Sequence, residues 1–288
     1  MTDNDCIDGI LPTQAVMLED LLIIDKITKS FELNNGKRLP VLTEVSLSVK
    51  NIQHKPQIIS ILGPSGGGKT TLMRILAGLD KPDSGSISIH FEGDGMRNVR
   101  VGDIGVVFQR YPLFDDRNVL QNLIEPAING GLSREQAKQK AEKFLDEFGL
   151  EQQASSFPLQ LSGGQRQRVA IAQQLIQDRF YVILDEPFSG LDPNNINNVI
   201  RLLQNIANQH TKNTFIIVTH DITSALIISD RVVILGKTSP NEGSKIVKDY
   251  DLIKEGLAYQ PNIEDLPRFQ QIRKEIKYVE FPKLVTQS

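Results

Sequence analysis

The chain has 288 residues, 40% of them hydrophobic, which suits one large domain or two modest ones around an ordinary buried core. Its formal net charge is -3 and it has no long basic block, which argues against nucleic acid as a partner. A single cysteine, Cys6, excludes an intrachain disulfide and a cysteine-built metal site and fits a reducing, cytoplasmic compartment. The longest apolar runs, near 58–62 and 215–218, fall far short of the ~18–20 residues a bilayer crossing requires. Residues 1–20 carry Asp3, Asp5, Asp8, Glu19 and Asp20 and no Lys or Arg, the reverse of a secretory signal, and are read as a loosely ordered extension.

From Leu21 onward short segments rich in Ile and Val appear: 21–27, then Val41, Val45, Leu47 and Val49 in partial alternation, then 58–62. They read as strands, the first two separated by an Asn-Asn-Gly turn at 34–36. A glycine loop follows, and then Leu72, Ile75, Leu76 and Leu79 share one helical face, with Gly78 as the stop. Further strands are expected at 86–91 and 104–108, with a glycine-containing stretch between them. The middle turns helical. Ser133 and Gln136 have capping-box spacing, and Ala137, Ala141, Phe144, Leu145 and Phe148 mark one face until Gly149, so a helical subdomain is expected over about 115–165.

Beyond it strands and helices alternate: a strand at 181–184, a helix capped by Asp192 with Pro193 at its first position, a strand at 214–219, a short helix at 222–229 and a strand at 231–235. Parallel strands need crossover connections, so this order predicts a parallel sheet covered on both faces. After 236 charge is mixed, prolines recur and no domain signal emerges. The expected division is an extension at 1–20, a domain at 21–236 and a tail at 237–288.

Gly63-Pro64-Ser65-Gly66-Gly67-Gly68-Lys69-Thr70 fits the phosphate-loop pattern G-x-x-x-x-G-K-[ST], with an apolar strand before it and an amphipathic helix after it. The glycines let backbone N–H groups turn toward phosphates, and the helix N-terminus adds a favourable dipole. Lys69 is suited to the β- and γ-phosphates, and Thr70 offers a hydroxyl to Mg²⁺. Thr71, next along, is expected in the same nucleotide-binding set. The strand 181–184 delivers Asp185 and Glu186 at its C-terminal end, where ligands sit in open parallel sheets. Asp185 suits a Mg²⁺ ligand, directly or through water, and Glu186 can reach the γ-phosphate and polarise a water. These parts alone fit many kinds of nucleoside triphosphatase. Between them, Leu161-Ser162-Gly163-Gly164-Gln165 opens a helix with capping-box spacing and presents a second set of free N–H groups to an anion.

Leu161–Gln165 resembles the signature motif of the ABC (ATP-binding cassette) ATPase family, and the rest of that family's pattern falls in order. Gln109 resembles its Q-loop, Ser189-Gly190-Leu191-Asp192 its D-loop, His220 its switch histidine, and Phe31 stands where an aromatic stacks on adenine. The likeness covers about 21–235. It departs at Ala172-Gln173-Gln174-Leu175, where relatives commonly have Ala-Arg-Ala-Leu.

The resemblance implies an α/β fold: a phosphate-loop NTPase (RecA-like) core with a mainly parallel sheet, an antiparallel β subdomain and an inserted helical signature subdomain. It implies ATP as substrate and Mg²⁺ held by Thr70, Gln109 and Asp185, with Glu186, His220 and Gln109 in catalysis. It also implies ATP gripped in trans by Ser162, Gly163, Gly164 and Gln165, and Asp192 at a dimer interface. The expected partners are a second copy or a paralogous cassette, membrane permease subunits and a solute-binding protein, at the cytoplasmic face of the membrane. Solute import, most like the nitrate, sulfonate and taurine group, is the expected function. The alternatives are a non-transport ABC-type ATPase acting on DNA or ribosomes, whose relatives usually carry paired cassettes or coiled-coil insertions, and a GTPase switch, which needs a guanine-selecting segment not found here.

Overall fold

The computed structural model describes residues 17–285, apart from 53–54, 92, 178, 209–210 and 212. Of the extension expected over 1–20, residues 1–16, Cys6 included, lie outside the described residues, and 17–20 already belong to a strand. Strands β1 (Met17–Glu32) and β2 (Arg38–Ile52) turn about the Asn-Asn-Gly and pair antiparallel. β1 outruns its apolar segment because ladder pairing continues from Met17 opposite Ile52 to Glu32 opposite Arg38, across several register shifts. β3 (Gln57–Leu62), buried at every position, leads through the glycine loop into α1 (Lys69–Leu76). β4 (Ser84–Phe91) and β5 (Gly95–Asn98) make a hairpin; β5 lies in the glycine-containing stretch that reads as a loop, and backbone pairing to β4 makes it a strand.

β6 (Ile104–Val107) precedes three helices, α2 (Val119–Asn129), α3 (Arg134–Glu147) and α4 (Gly163–Leu175). Ser133 and Gln136 form the reciprocal capping box that starts α3. Then come β7 (Tyr181–Asp185), α5 (Pro193–Ala207), β8 (Thr214–Thr219), α6 (Ile222–Ile228) and β9 (Arg231–Gly236). The chain does not trail off after 236: β10 (Lys245–Asp251) pairs antiparallel with β9, and α7 (Pro267–Glu275) packs beside α6.

Among the described residues the strands form two sheets, an antiparallel one in the order β2-β1-β4-β5 and a larger one in the order β10-β9-β3-β8-β7-β6, parallel except for β10. Alternating side chains divide the interior. Phe215 and Ile217 of β8 face the α2–α5 side, while Ile216 and Val218 meet α1 and the antiparallel sheet. A strand buried on both faces reads as a continuous apolar run, as 214–219 does. A third cluster joins Val232 and Ile234 of β9 to Phe269, Ile272 and Ile276, so the C-terminal segment covers the β9 end of the sheet.

Candidate functional site

β3 delivers the glycine loop at its C-terminal end. A Cβ at Gly63 would collide with the Leu235 carbonyl oxygen, so only glycine lets the loop pass β9 here. Gly68 sits at φ 80, a left-handed conformation that L side chains rarely adopt, and caps α1 without a side-chain hydrogen bond. The first N–H groups of α1 therefore remain available to a ligand. Lys69 is buried, and its Nζ donates to the carbonyls of Gly63 (2.8 Å) and Pro64 (3.0 Å), inside the loop's own curve. Burial lowers its pKa, with Glu186 and Asp185 pulling the other way. Ser65, Gly66 and Thr70 are exposed. Gly66 to Thr71, Leu39, Val41 and Lys237 line one cavity of about 210 Å³. Phe31 is half-exposed on β1 directly opposite Leu39, which ties the predicted adenine platform to that cavity's rim.

Across the sheet β7 brings Asp185 and Glu186 to the same edge. Burial is the main cause that raises the Asp185 pKa; Glu186 adds to it and Lys69 opposes it. Glu186 lies at φ 49, an uncommon conformation for a non-glycine residue, and its N–H donates to the Val218 carbonyl (2.8 Å). Its carboxylate accepts from the Thr219 hydroxyl (3.1 Å), meets His220 Nδ1 (2.8 Å) and stands 4.0 Å from Lys69 Nζ. Residues distant in sequence, 69, 186 and 220, thus form one polar cluster. Gln109 donates to the Ser189 hydroxyl at 3.4 Å, linking the segment after β6 to the segment after Glu186. Asp192 accepts from the N–H groups of Asn194 and Asn195 as the N-cap of α5, and those bonds hold its carboxyl below the usual range.

Ser162 and Gln165 form the reciprocal capping box of α4. A Cβ at Gly163 or Gly164 would meet nothing within 4 Å. These residues line a separate cavity of about 680 Å³ with Gly190, Leu191 and Asn195, sharing no residue with the phosphate-loop cavity. One chain does not bring the two glycine motifs onto one ligand.

Four residues hold places that the sequence pattern did not assign them. Gln167 is buried and donates to the Pro187 carbonyl (2.6 Å), fastening α4 to the residue after Glu186. Gln173, standing where relatives carry arginine, is buried and bonds to Asn122 of α2. The Tyr111 hydroxyl is pushed up to about 12 by burial and by Asp185. Lys237 lies one residue beyond β9, and its place at a C-terminal strand end was the available signal.

A strand, a glycine loop and a helix, with two acids at the same edge of a parallel sheet, define a phosphate-loop nucleoside triphosphatase. A family profile described as "ABC transporter" matches residues 42–189. An uncharacterized ABC transporter ATP-binding protein of Methanocaldococcus jannaschii is 40% identical over 79% of this chain and 81% of its own length. The lipoprotein-releasing system ATP-binding protein LolD of Saccharophagus degradans is 38% identical over 66% of this chain and 83% of its own length. The sulfate/thiosulfate import ATP-binding protein CysA of Pectobacterium atrosepticum is 38% identical over 68% of this chain and 59% of its own length.

Among solved structures, the dimeric ATP-binding cassette MJ0796 in a post-hydrolysis state with ADP and Pi superposes with a TM-score of 0.66 at 29% identity, covering 81% of this chain and 99% of that one. The structure of cbiO1 from Clostridium perfringens, part of the ABC transporter complex cbiONQ, superposes with a TM-score of 0.68 at 26% identity, covering 92% of this chain and 98% of that one. The chain belongs to the ABC transporter family and is the ATP-binding, ATP-hydrolysing subunit of such a transporter. These relatives support transport rather than the alternative of an ATPase acting on DNA or ribosomes.

Proposed function

We propose that ATP is held between this chain and a second copy or a paralogous cassette, with the phosphate loop of one and Ser162, Gly163, Gly164 and Gln165 of the other closing on it. The observation that carries this reading is the open space over Gly163 and Gly164 in a cavity apart from the phosphate loop. Neither backbone conformation nor packing within the chain requires glycine there, so the close approach comes from outside. The MJ0796 relative, solved as a dimer with ADP and Pi, supports the pairing of two nucleotide-binding cassettes. Asp192, at the start of α5, belongs to that interface.

Within the site, Phe31 stacks on adenine, and Gly63, Pro64, Ser65, Gly66, Gly67, Gly68 and Thr71 wrap the phosphates with Lys69 neutralising them. Glu186 accepts a proton from, or orients, the attacking water as its oxygen bonds to the γ-phosphorus and the bond to the β-phosphate oxygen breaks. His220, already against Glu186, holds the γ-phosphate and the geometry of attack. Thr70, Asp185 and Gln109 present hydroxyl, carboxylate and amide oxygens, a hard donor set that fits Mg²⁺. Burial disfavours the Asp185 carboxylate, and a divalent cation beside it would reverse that. Bound there, Mg²⁺ supplies neutralisation of the β- and γ-phosphates.

Among the described residues no helix is long and apolar enough to cross a membrane. Our reading is a cassette docked on permease subunits at the cytoplasmic face, importing a solute delivered by a binding protein, with the helices over about 115–165 moving relative to the rest of 21–236. The cbiO1 relative's place in a transporter complex supports docking on other subunits, and the CysA relative's name supports import. The finer likeness to nitrate, sulfonate and taurine importers lacks support from the relatives' names, which point instead to sulfate, amino-acid and lipoprotein systems. LolD favours a second reading, lipoprotein release, and a gene for a solute-binding protein beside this one would decide for import. The enzymatic test is Glu186→Gln: it should bind ATP, hydrolyse it about 10²–10⁴-fold more slowly and accumulate as an ATP-bound dimer. Hydrolysis at the normal rate would remove Glu186 from the mechanism.

A further inference from the structure

Lys237 has no part in the reading above, yet it is 4% exposed, and a buried ammonium is costly unless an anion or strong acceptors compensate it. Its Nζ donates to the Pro40 carbonyl at 3.1 Å, a neutral acceptor, and among the described residues it makes no ion pair. An ammonium has three N–H donors, so this contact does not exhaust it. The side chain lines the phosphate-loop cavity together with Leu39 and Val41. The cavity that contains Glu186, Ser189, Thr219 and His220 is a different one, and Lys237 is not in its wall. Phe31 pairs with Leu39, which lines the same cavity as Lys237. Lys237 therefore shares a cavity with the phosphate loop and with Leu39, the partner of Phe31, and not with Glu186 or His220.

The backbone there is pinned by the C-terminal segment. The Val285 N–H donates to the Lys237 carbonyl at 2.8 Å, and Leu284 lies so close to Gly236 that a Cβ would come within 2.7 Å of its methyl carbons. The pairing of β9 with β10 fixes the same strand end from the other side, with Lys245 opposite Gly236.

We infer that Lys237 is a second cationic ligand for the bound nucleotide, contacting the α- and β-phosphates that are not transferred, and that residues 284–285 hold it in place. The inference rests on ATP occupying the phosphate loop. A contact made equally to substrate, transition state and product changes KM and leaves kcat alone. Lys237→Met keeps the length of the side chain and removes the charge. Affinity for ATP and for ADP, measured by titration on the full chain, should fall by the same factor, about tenfold for one charge-assisted hydrogen bond. KM for ATP should rise by about that factor, with kcat at saturation unchanged. Lys237→Arg should recover most of the loss.

Should Lys237→Met not fold, Lys237→Gln carries the same comparison, because its amide can still donate to Pro40. ATP and ADP affinities within twofold of the parent, with a lowered melting temperature, would reduce Lys237 to a structural prop for Pro40 and overturn the inference. A loss confined to ATP, or a fall in kcat at saturation, would overturn it equally by putting Lys237 at the γ-phosphate. Lys69→Ala separates the two readings. If it keeps full ATP affinity, the phosphate-loop assignment itself fails; if it loses affinity while Lys237→Met does not, only the present inference fails.

Discussion

The two glycine motifs of this chain obey different constraints. In Gly63–Thr70 the glycines answer to the chain's own backbone: Gly63 passes the Leu235 carbonyl where no Cβ fits, and Gly68 holds a left-handed conformation before α1. In Leu161–Gln165 nothing inside the chain demands Gly163 or Gly164, which face open space. The first motif is a site completed by its own fold. The second is finished as a helix cap, and on the function proposed above it is half of a site whose remainder comes from another molecule.

Substitutions can break that contrast. Gly63→Ala should be the most damaging, since the clash is with backbone rather than a flexible side chain; a loss of about 1–3 kcal/mol or more is expected, along with ATP binding, checked by thermal melting and nucleotide titration. Gly164→Ala should leave stability within about 0.5 kcal/mol of the parent apart from helix propensity, yet lower ATPase activity severalfold in a steady-state assay. Equal destabilisation by the two changes would erase the distinction between them.

A smaller effect concerns the strand that delivers the phosphate loop. Asp230 accepts from the Ile58 N–H at 2.7 Å and faces the Tyr259 hydroxyl, Lys55 and Asp251; burial pushes its carboxyl up to about 7. The folded protein thus keeps a proton that the unfolded chain releases near pH 4. This group's stabilising contribution is complete below about pH 4 and lost as pH rises through about 7. Denaturant melts across that window should show stability falling with pH, and Asp230→Asn, which keeps an acceptor for Ile58, should flatten the slope. Asp192→Ala should cost about 1 kcal/mol from the lost α5 cap; a larger loss of ATPase than of stability would sharpen its assignment to the interface.

Local signals made much of this legible. The capping boxes at Ser133 and Ser162, the Asp192-Pro193 helix start and the apolar run at 214–219 each act over a few residues, and each appears where the pattern put it. Contacts set by tertiary packing were not legible. β5 and β10 are strands because a neighbour offers them a ladder, and their own composition carries little apolar signal. Gln167, Gln173 and Lys237 look like ordinary surface residues in sequence, and become buried links only when α4 packs on the core and the C-terminal segment folds back onto β9. The polar cluster was legible as residue types, but the 2.8 Å contact between Glu186 and His220 depends on β7 and β8 lying side by side.

Mixed dimers test the central claim, that the signature half acts on the nucleotide of another chain. Chains carrying Lys69→Ala have a dead phosphate loop and an intact signature; chains carrying Gly164→Asp have the reverse, and each alone should be nearly inactive. Mixed in equal amounts, they should regain ATPase activity, about a quarter of the parent's for random pairing and independent sites, because one interface unites both intact halves. If the motifs instead served one ATP within a single chain, no mixture would contain a complete site, and activity would stay at the level of the separate variants.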